Sequence, residues 1–106
     1  MNRKKPWLKN YPENTPEELV FDPRKTLVRV LDKAETEYPD NKAFVNFGVS
    51  ISFRQVAKDS KSFAAYLQNV LGLKKGDRLA IMMPNLLQYP VAVFGALRAG
   101  LIVVNV

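Results

Sequence analysis

Two passages decide the fold: Arg78-Leu79-Ala80-Ile81-Met82-Met83-Pro84-Asn85-Leu86-Leu87-Gln88-Tyr89-Pro90 and Arg98-Ala99-Gly100-Leu101-Ile102-Val103-Val104-Asn105-Val106. After Arg78 the first run is continuously apolar to Met83, the pattern of a parallel strand buried on both faces. Pro84-Asn85 breaks it, and Asn85 with Gln88 resembles a helix-capping pair. Leu86 to Ala99 then reads as a helix, with Pro90 tolerated near its first turn. Gly100 ends that helix, and Leu101 to Val104 reads as a second buried strand. Strand, helix and strand joined by short connections make a βαβ unit, which should cross over right-handed. The fold class is α/β.

Working back toward the N-terminus, Lys74-Lys75-Gly76-Asp77 is a polar turn in which Asp77 stabilises the chain reversal. Before it, Ser52 is placed to cap a helix, with Gln55 completing a Ser-x-x-Gln capping box. The helix runs to about Leu71, with Val56, Phe63, Leu67 and Val70 as its apolar stripe and small Ser60 and Ala64 allowing close approach. Gly72 suits a left-handed C-terminal cap, and Leu73 the hydrophobic contact of a Schellman ending. Residues 43–47 and 49–53 read as a hairpin turning at Gly48. Thr26 to Tyr38 reads as a further helix, capped by Thr26, with Leu27, Leu31, Ala34 and Tyr38 on one stripe. Residues 1–24 are broken by Pro6, Pro12, Pro16 and Pro23, and are expected to form an extended arm whose Trp7, Tyr11, Leu19, Val20 and Phe21 lie on the body. The domain division is therefore an arm, 1–24, and an α/β body, 25–106.

Composition narrows the chemistry. The chain of 106 residues is 47% hydrophobic, which is globular rather than disordered. It has neither cysteine nor histidine, so a disulfide framework, a Cys/His zinc site, a cysteine nucleophile and a Ser-His-Asp triad are impossible within it. Most of the formal net charge of +6 comes from Arg3, Lys4, Lys5 and Lys9, leaving a nearly neutral body. A solvated N-terminus explains this more simply than nucleic-acid binding, and no nucleic-acid partner is expected. No apolar stretch follows Lys5 to make a secretory signal, so the cytoplasm is the expected location. Leu86 to Val106 contains Gln88, Pro90, Arg98 and Asn105 and does not read as a membrane span.

Few residues qualify for a site. The glycines at 48, 72, 76, 95 and 100 fit neither GxGxxG nor GxxxxGK[ST]. Gly72 and Gly76 lie between a helix and a strand, the wrong order for a phosphate cradle. The carboxylates of Asp22, Asp32, Glu35, Glu37 and Asp59 are expected to be solvated. Tyr66, Tyr89 and Phe94 could line an apolar tunnel, although core packing explains them as well. Asn85 is the best polar candidate, because it follows a buried strand and α/β sheets present ligands at strand C-terminal ends. Helix capping is its plainer role.

The phrases Gly72 to Arg78, Met82 to Ala92, Leu97 to Gly100 and Ile102 to Val106 resemble the bacterial long-chain fatty-acid–CoA ligases, as do Ala43 to Asn46 and Phe63 to Gln68. Ile51 to Val56 and Leu97 to Gly100 are also similar to two motifs of the wider adenylate-forming superfamily. The resemblance implies the start of the large N-terminal domain of a much longer enzyme, with an incomplete sheet and the apolar end at Val106 as a cut edge. It implies ATP-dependent activation of a long-chain fatty acid to an acyl-adenylate, transfer to coenzyme A, and use of Mg²⁺. The family's phosphate loop and catalytic lysine lie beyond these residues. The resemblance therefore assigns no catalytic, cofactor-binding or metal residue here, and implies a scaffold inactive by itself. The partners it implies are the remainder of the chain and, through the arm, a second copy. The alternative is a small α/β module that docks on membrane surfaces through Arg3-Lys4-Lys5, Trp7 and Leu8.

Overall fold

The computed structural model describes residues 4–106, so Arg3 lies outside the described residues. The βαβ unit is present. Strand β3 (Arg78–Ile81) and strand β4 (Ile102–Asn105) pair in parallel, and α3 (Gln88–Arg98) connects them. Ahead of them come α1 (Leu27–Glu37), an antiparallel hairpin of β1 (Lys42–Asn46) and β2 (Val49–Ser52), and α2 (Phe53–Asn69). The two sheets have two strands each. Helices α2 and α3 pack on each other, and the core lies where they meet β3 and β4. Ala64, Leu67, Ala96, Ala99 and Leu101 are buried there, with Phe63, Leu73, Leu79 and Val103 closing around them.

Local chemistry explains the element ends. Thr26 caps α1, its side chain accepting from the Arg29 N–H at 3.3 Å. Ser52 caps α2 in the same way, accepting from the Gln55 N–H at 3.1 Å. The capping box is only half formed, because the Gln55 amide turns forward to Asp59 at 2.8 Å. Gly100, at φ 79°, ends α3 in a conformation that side chains disfavour. Asp77 accepts from the Lys74 N–H at 2.8 Å and so stabilises its turn.

Several expectations are corrected. Strand β3 ends at Ile81, and only one face of the β3–β4 pair is covered, because α2 and α3 form a single layer. Met82, Ile102, Val104 and Val106 are exposed. Helix α3 starts at Gln88 without a side-chain cap, so Asn85 is not its N-cap; the Leu86 N–H folds back onto the Pro84 carbonyl at 2.8 Å. Helix α2 stops at Asn69 and Val70 is exposed. Its ending is wider than a Schellman motif, with the Leu73 N–H reaching the Leu67 carbonyl at 3.0 Å. Phe47 belongs to the turn rather than to a strand. Asn46 pairs with Val49, so the connection is Phe47-Gly48, and both have positive φ (49° and 78°), the signature of a type I′ turn.

The stripe expected on α1 is rotated. Leu31 is buried and Val28 half-buried, while Leu27 and Tyr38 are more than half exposed. The arm starts with a 3₁₀ turn, Pro6–Asn10, and Lys5 bridges to Glu17 and Glu18, each at 3.1 Å. Its apolar residues do not pack down as expected: Leu19, Val20 and Phe21 are 89%, 96% and 84% exposed, and Trp7 and Tyr11 are exposed too. The radius of gyration, 17.9 Å, exceeds the roughly 13 Å of a compact domain of this length.

Candidate functional site

The C-terminal ends of parallel strands are where α/β sheets receive ligands. At that end of β3 and β4, the Tyr89 hydroxyl donates to the Asn105 side-chain oxygen at 2.6 Å, tying the first turn of α3 to the end of β4. Beside it lies a cavity of about 320 Å³. Phe44, Val45 and Asn46 of β1 form one wall, and Tyr89, Pro90, Val93 and Phe94 of α3 the other. The loop residues Asn85, Leu86 and Leu87 close its end. Freed from capping, Asn85 faces this cavity.

The structure thus brings together three sequence candidates, Asn85, Tyr89 and Phe94. It does not bring Tyr66, which is exposed and stacks on Phe63 with ring centroids 6.4 Å apart. The cavity offers apolar surface, two amides and a phenol. Its lining has no carboxylate, lysine, serine or threonine, and the Tyr89 phenol is held by Asn105, so the cavity is fitted to an apolar group.

The glycine-bearing turn is occupied by the fold itself. The Gly76 N–H donates to the Gly100 carbonyl at 2.9 Å and the Asp77 N–H to the Lys74 carbonyl at 3.0 Å, so these amides do not face a ligand. Among the described residues no three acids gather as a metal site.

One polar cluster escaped the sequence reading. Arg98, whose side chain is 11% exposed, donates from Nε to the buried Ser60 hydroxyl at 2.9 Å and from Nη2 to Asp32 Oδ1 at 2.6 Å. Asp32 is therefore ion-paired and not simply solvated. The cluster joins α1, α2 and α3. Its one sequence signal is an arginine closing a mostly apolar helix. Of the other carboxylates, Asp22 accepts from Arg24, which holds it below its ordinary value, and Glu35 faces Lys61 at 3.8 Å.

Comparison with known proteins places this arrangement. The family model described as AMP-binding enzyme matches residues 31–106, from the middle of α1 through β4. The chain belongs to the AMP-binding enzyme family. It is 58% identical over 103 residues to the long-chain-fatty-acid–CoA ligase of Salmonella typhimurium, 97% of this chain and 18% of that protein. The ligase of the same name from Haemophilus influenzae is 50% identical over 94% of the chain. That from Bacillus subtilis is 41% identical over 99% of it. The chain thus spans 18% of the length of these curated relatives. Among solved structures, the N-terminal subdomain of Klebsiella oxytoca NpsA matches with a TM-score of 0.72 and 27% identity, over 77% of this chain and 21% of that one. The fatty acid AMP ligase of Legionella pneumophila matches at 0.66 and 30%, over 74% and 14%. The α/β assignment and the family resemblance both stand.

Proposed function

We propose that this chain is the N-terminal portion of a long-chain fatty-acid–CoA ligase and serves it as scaffold. The observation that carries this reading is identity of 50–58% to such ligases over 94–97% of the chain. In that reaction a carboxylate oxygen of the fatty acid attacks the α-phosphorus of ATP and pyrophosphate leaves. The coenzyme A thiol then attacks the acyl carbonyl and AMP departs. Mg²⁺ would balance charge on the phosphates, but the described residues gather no set of acids to hold it, so no step is assigned to them.

What these residues do is positional. The βαβ unit presents the ends of β3 and β4 together, with Tyr89 locked to Asn105. The same reading places the enzyme in the cytoplasm with peripheral contact at the inner membrane. It gives residues 1–24 to contacts with a second copy, a role supported by the exposed Trp7, Leu19, Val20 and Phe21. No described helix is long and apolar enough to cross a membrane.

ATP–pyrophosphate exchange tests the proposal. The intact protein should exchange pyrophosphate only when a long-chain fatty acid is present, and residues 1–106 alone should not exchange at all. Exchange by the 106-residue chain, or an intact protein indifferent to fatty acid, would overturn it.

A further inference from the structure

Helix α1 buries one face on the body through Leu31 and leaves a second amphipathic face free. Residues four apart on a helix stack one turn above another. Two such rows lie side by side here. Lys25, just ahead of the helix, is followed by Arg29 and Lys33, and next to them run Val30, Ala34 and Tyr38. With the turn at Asp22–Lys25 as the second wall, these rows form a groove of about 590 Å³.

The charges are only partly spent internally. Asp22 is taken by Arg24 at 3.1 Å. Glu37, the next residue along the same row, pairs with Lys33 at 3.9 Å, with both side chains exposed to solvent. Among the described residues Lys25 and Arg29 pair with no acid; Arg29 instead donates to the Arg24 carbonyl at 3.1 Å, which fixes its guanidinium at the rim. Val30 and Tyr38 are more than half exposed on the floor. Apolar floor and cationic rim are thus arranged in register along one helix.

We infer that this groove docks an acidic amphipathic helix of a partner protein. A convex helix carrying apolar residues three and four apart fills an apolar groove, the common helix-in-groove mode. Acids flanking those anchors at the same spacing meet Lys25, Arg29 and Lys33. A second copy fits worse, because a symmetric pair would set this net-positive face against itself. A bilayer fits worse, because a flat anionic surface does not fill a concave groove. The inference rests on the rest of the protein leaving this groove uncovered, so the titration uses the intact protein.

Fluorescence anisotropy of an amphipathic Leu/Glu helical peptide, titrated with the intact protein, tests it. The Leu/Glu peptide should bind, and its Leu/Lys counterpart should not. Binding should weaken at least about tenfold in Arg29→Glu/Lys33→Glu, and also when NaCl rises from about 0.05 to about 0.3 M. The milder Arg29→Gln/Lys33→Gln pair, checked for native circular dichroism, should show a smaller loss in the same direction. Equal binding of the two peptides, or unchanged binding in both variants, overturns the inference. So does a dimer of the unmodified protein that the same variants dissociate, or anionic vesicles that compete the peptide away.

Discussion

Gly95 sits where α3 presses on α2, opposite Ser60 and Phe63. A Cβ added there would lie 2.7 Å from Phe63 Cδ2, 3.1 Å from Phe63 Cβ and 3.1 Å from the Ser60 carbonyl oxygen. Rotation of the Phe63 ring can relieve the first contact. The other two belong to the α2 backbone and the root of a side chain, so only separation of the helices relieves them. Two opposing effects decide the outcome of Gly95→Ala. Replacing glycine inside a helix gains up to about 1 kcal/mol in propensity. Inserting a methyl into a close-packed contact costs about 1–3 kcal/mol. Because a rigid carbonyl is involved, the packing cost should win, for a net loss of about 1–2 kcal/mol. Separation would also stretch the 2.9 Å Arg98–Ser60 bond, which spans the same interface. Urea unfolding followed by circular dichroism reads this as a lower midpoint at unchanged slope. Adding Phe63→Leu should remove the ring contact only, leaving the clash with the Ser60 carbonyl. A Gly95→Ala midpoint equal to or above that of the parent would refute the claim that this glycine is required by helix approach.

Three other perturbations test other features. Replacing Asp32 by Asn leaves the Arg98 guanidinium largely buried without its anion and should cost about 1–2 kcal/mol; a double-mutant cycle with Arg98→Met should return a coupling above about 1 kcal/mol, tempered by the half-exposed Asp32. Phe47→Asn should stabilise the hairpin by up to about 1 kcal/mol in thermal unfolding, since asparagine tolerates the left-handed conformation and the 95% exposed ring loses no packing. The Asp22 carboxyl should titrate below 3.8 by NMR, because Arg24 hydrogen bonds favour its charged form. This contribution to stability is present above the unfolded value and disappears as pH falls through the folded one; Arg24→Ala should bring Asp22 only part of the way back to the ordinary range, because the backbone N–H of residue 24 still donates to it.

The readable parts of the fold were those that local chemistry determines. Thr26 and Ser52 cap where a hydroxyl precedes a helix, and Gly100 stops α3 because the chain there needs positive φ. The apolar runs around α3 gave the βαβ unit. What escaped depends on partners distant in sequence. Phe47 has strand chemistry, but pairing of Asn46 with Val49 leaves it in the turn. Leu27 and Tyr38 fit a helical stripe, but which α1 face turns inward depends on where α2 lies. Asp32 looked solvated because the guanidinium that claims it comes 66 residues later. At the cavity, Tyr89 and Phe94 were visible as candidates, whereas the wall supplied by Phe44 and Val45 required the hairpin to fold across the start of α3.

That separation of Asp32 from Arg98 has a consequence for synthesis. A ribosome adding about 5–20 residues per second needs roughly 3–13 s to travel from one to the other. During that interval α1 has emerged without its cation, and Ser60, made later, also waits for Arg98. The first α-helix to be made is therefore among the last to be fastened, held until then by Leu31, the half-buried Val28 and the Glu35–Lys61 pair.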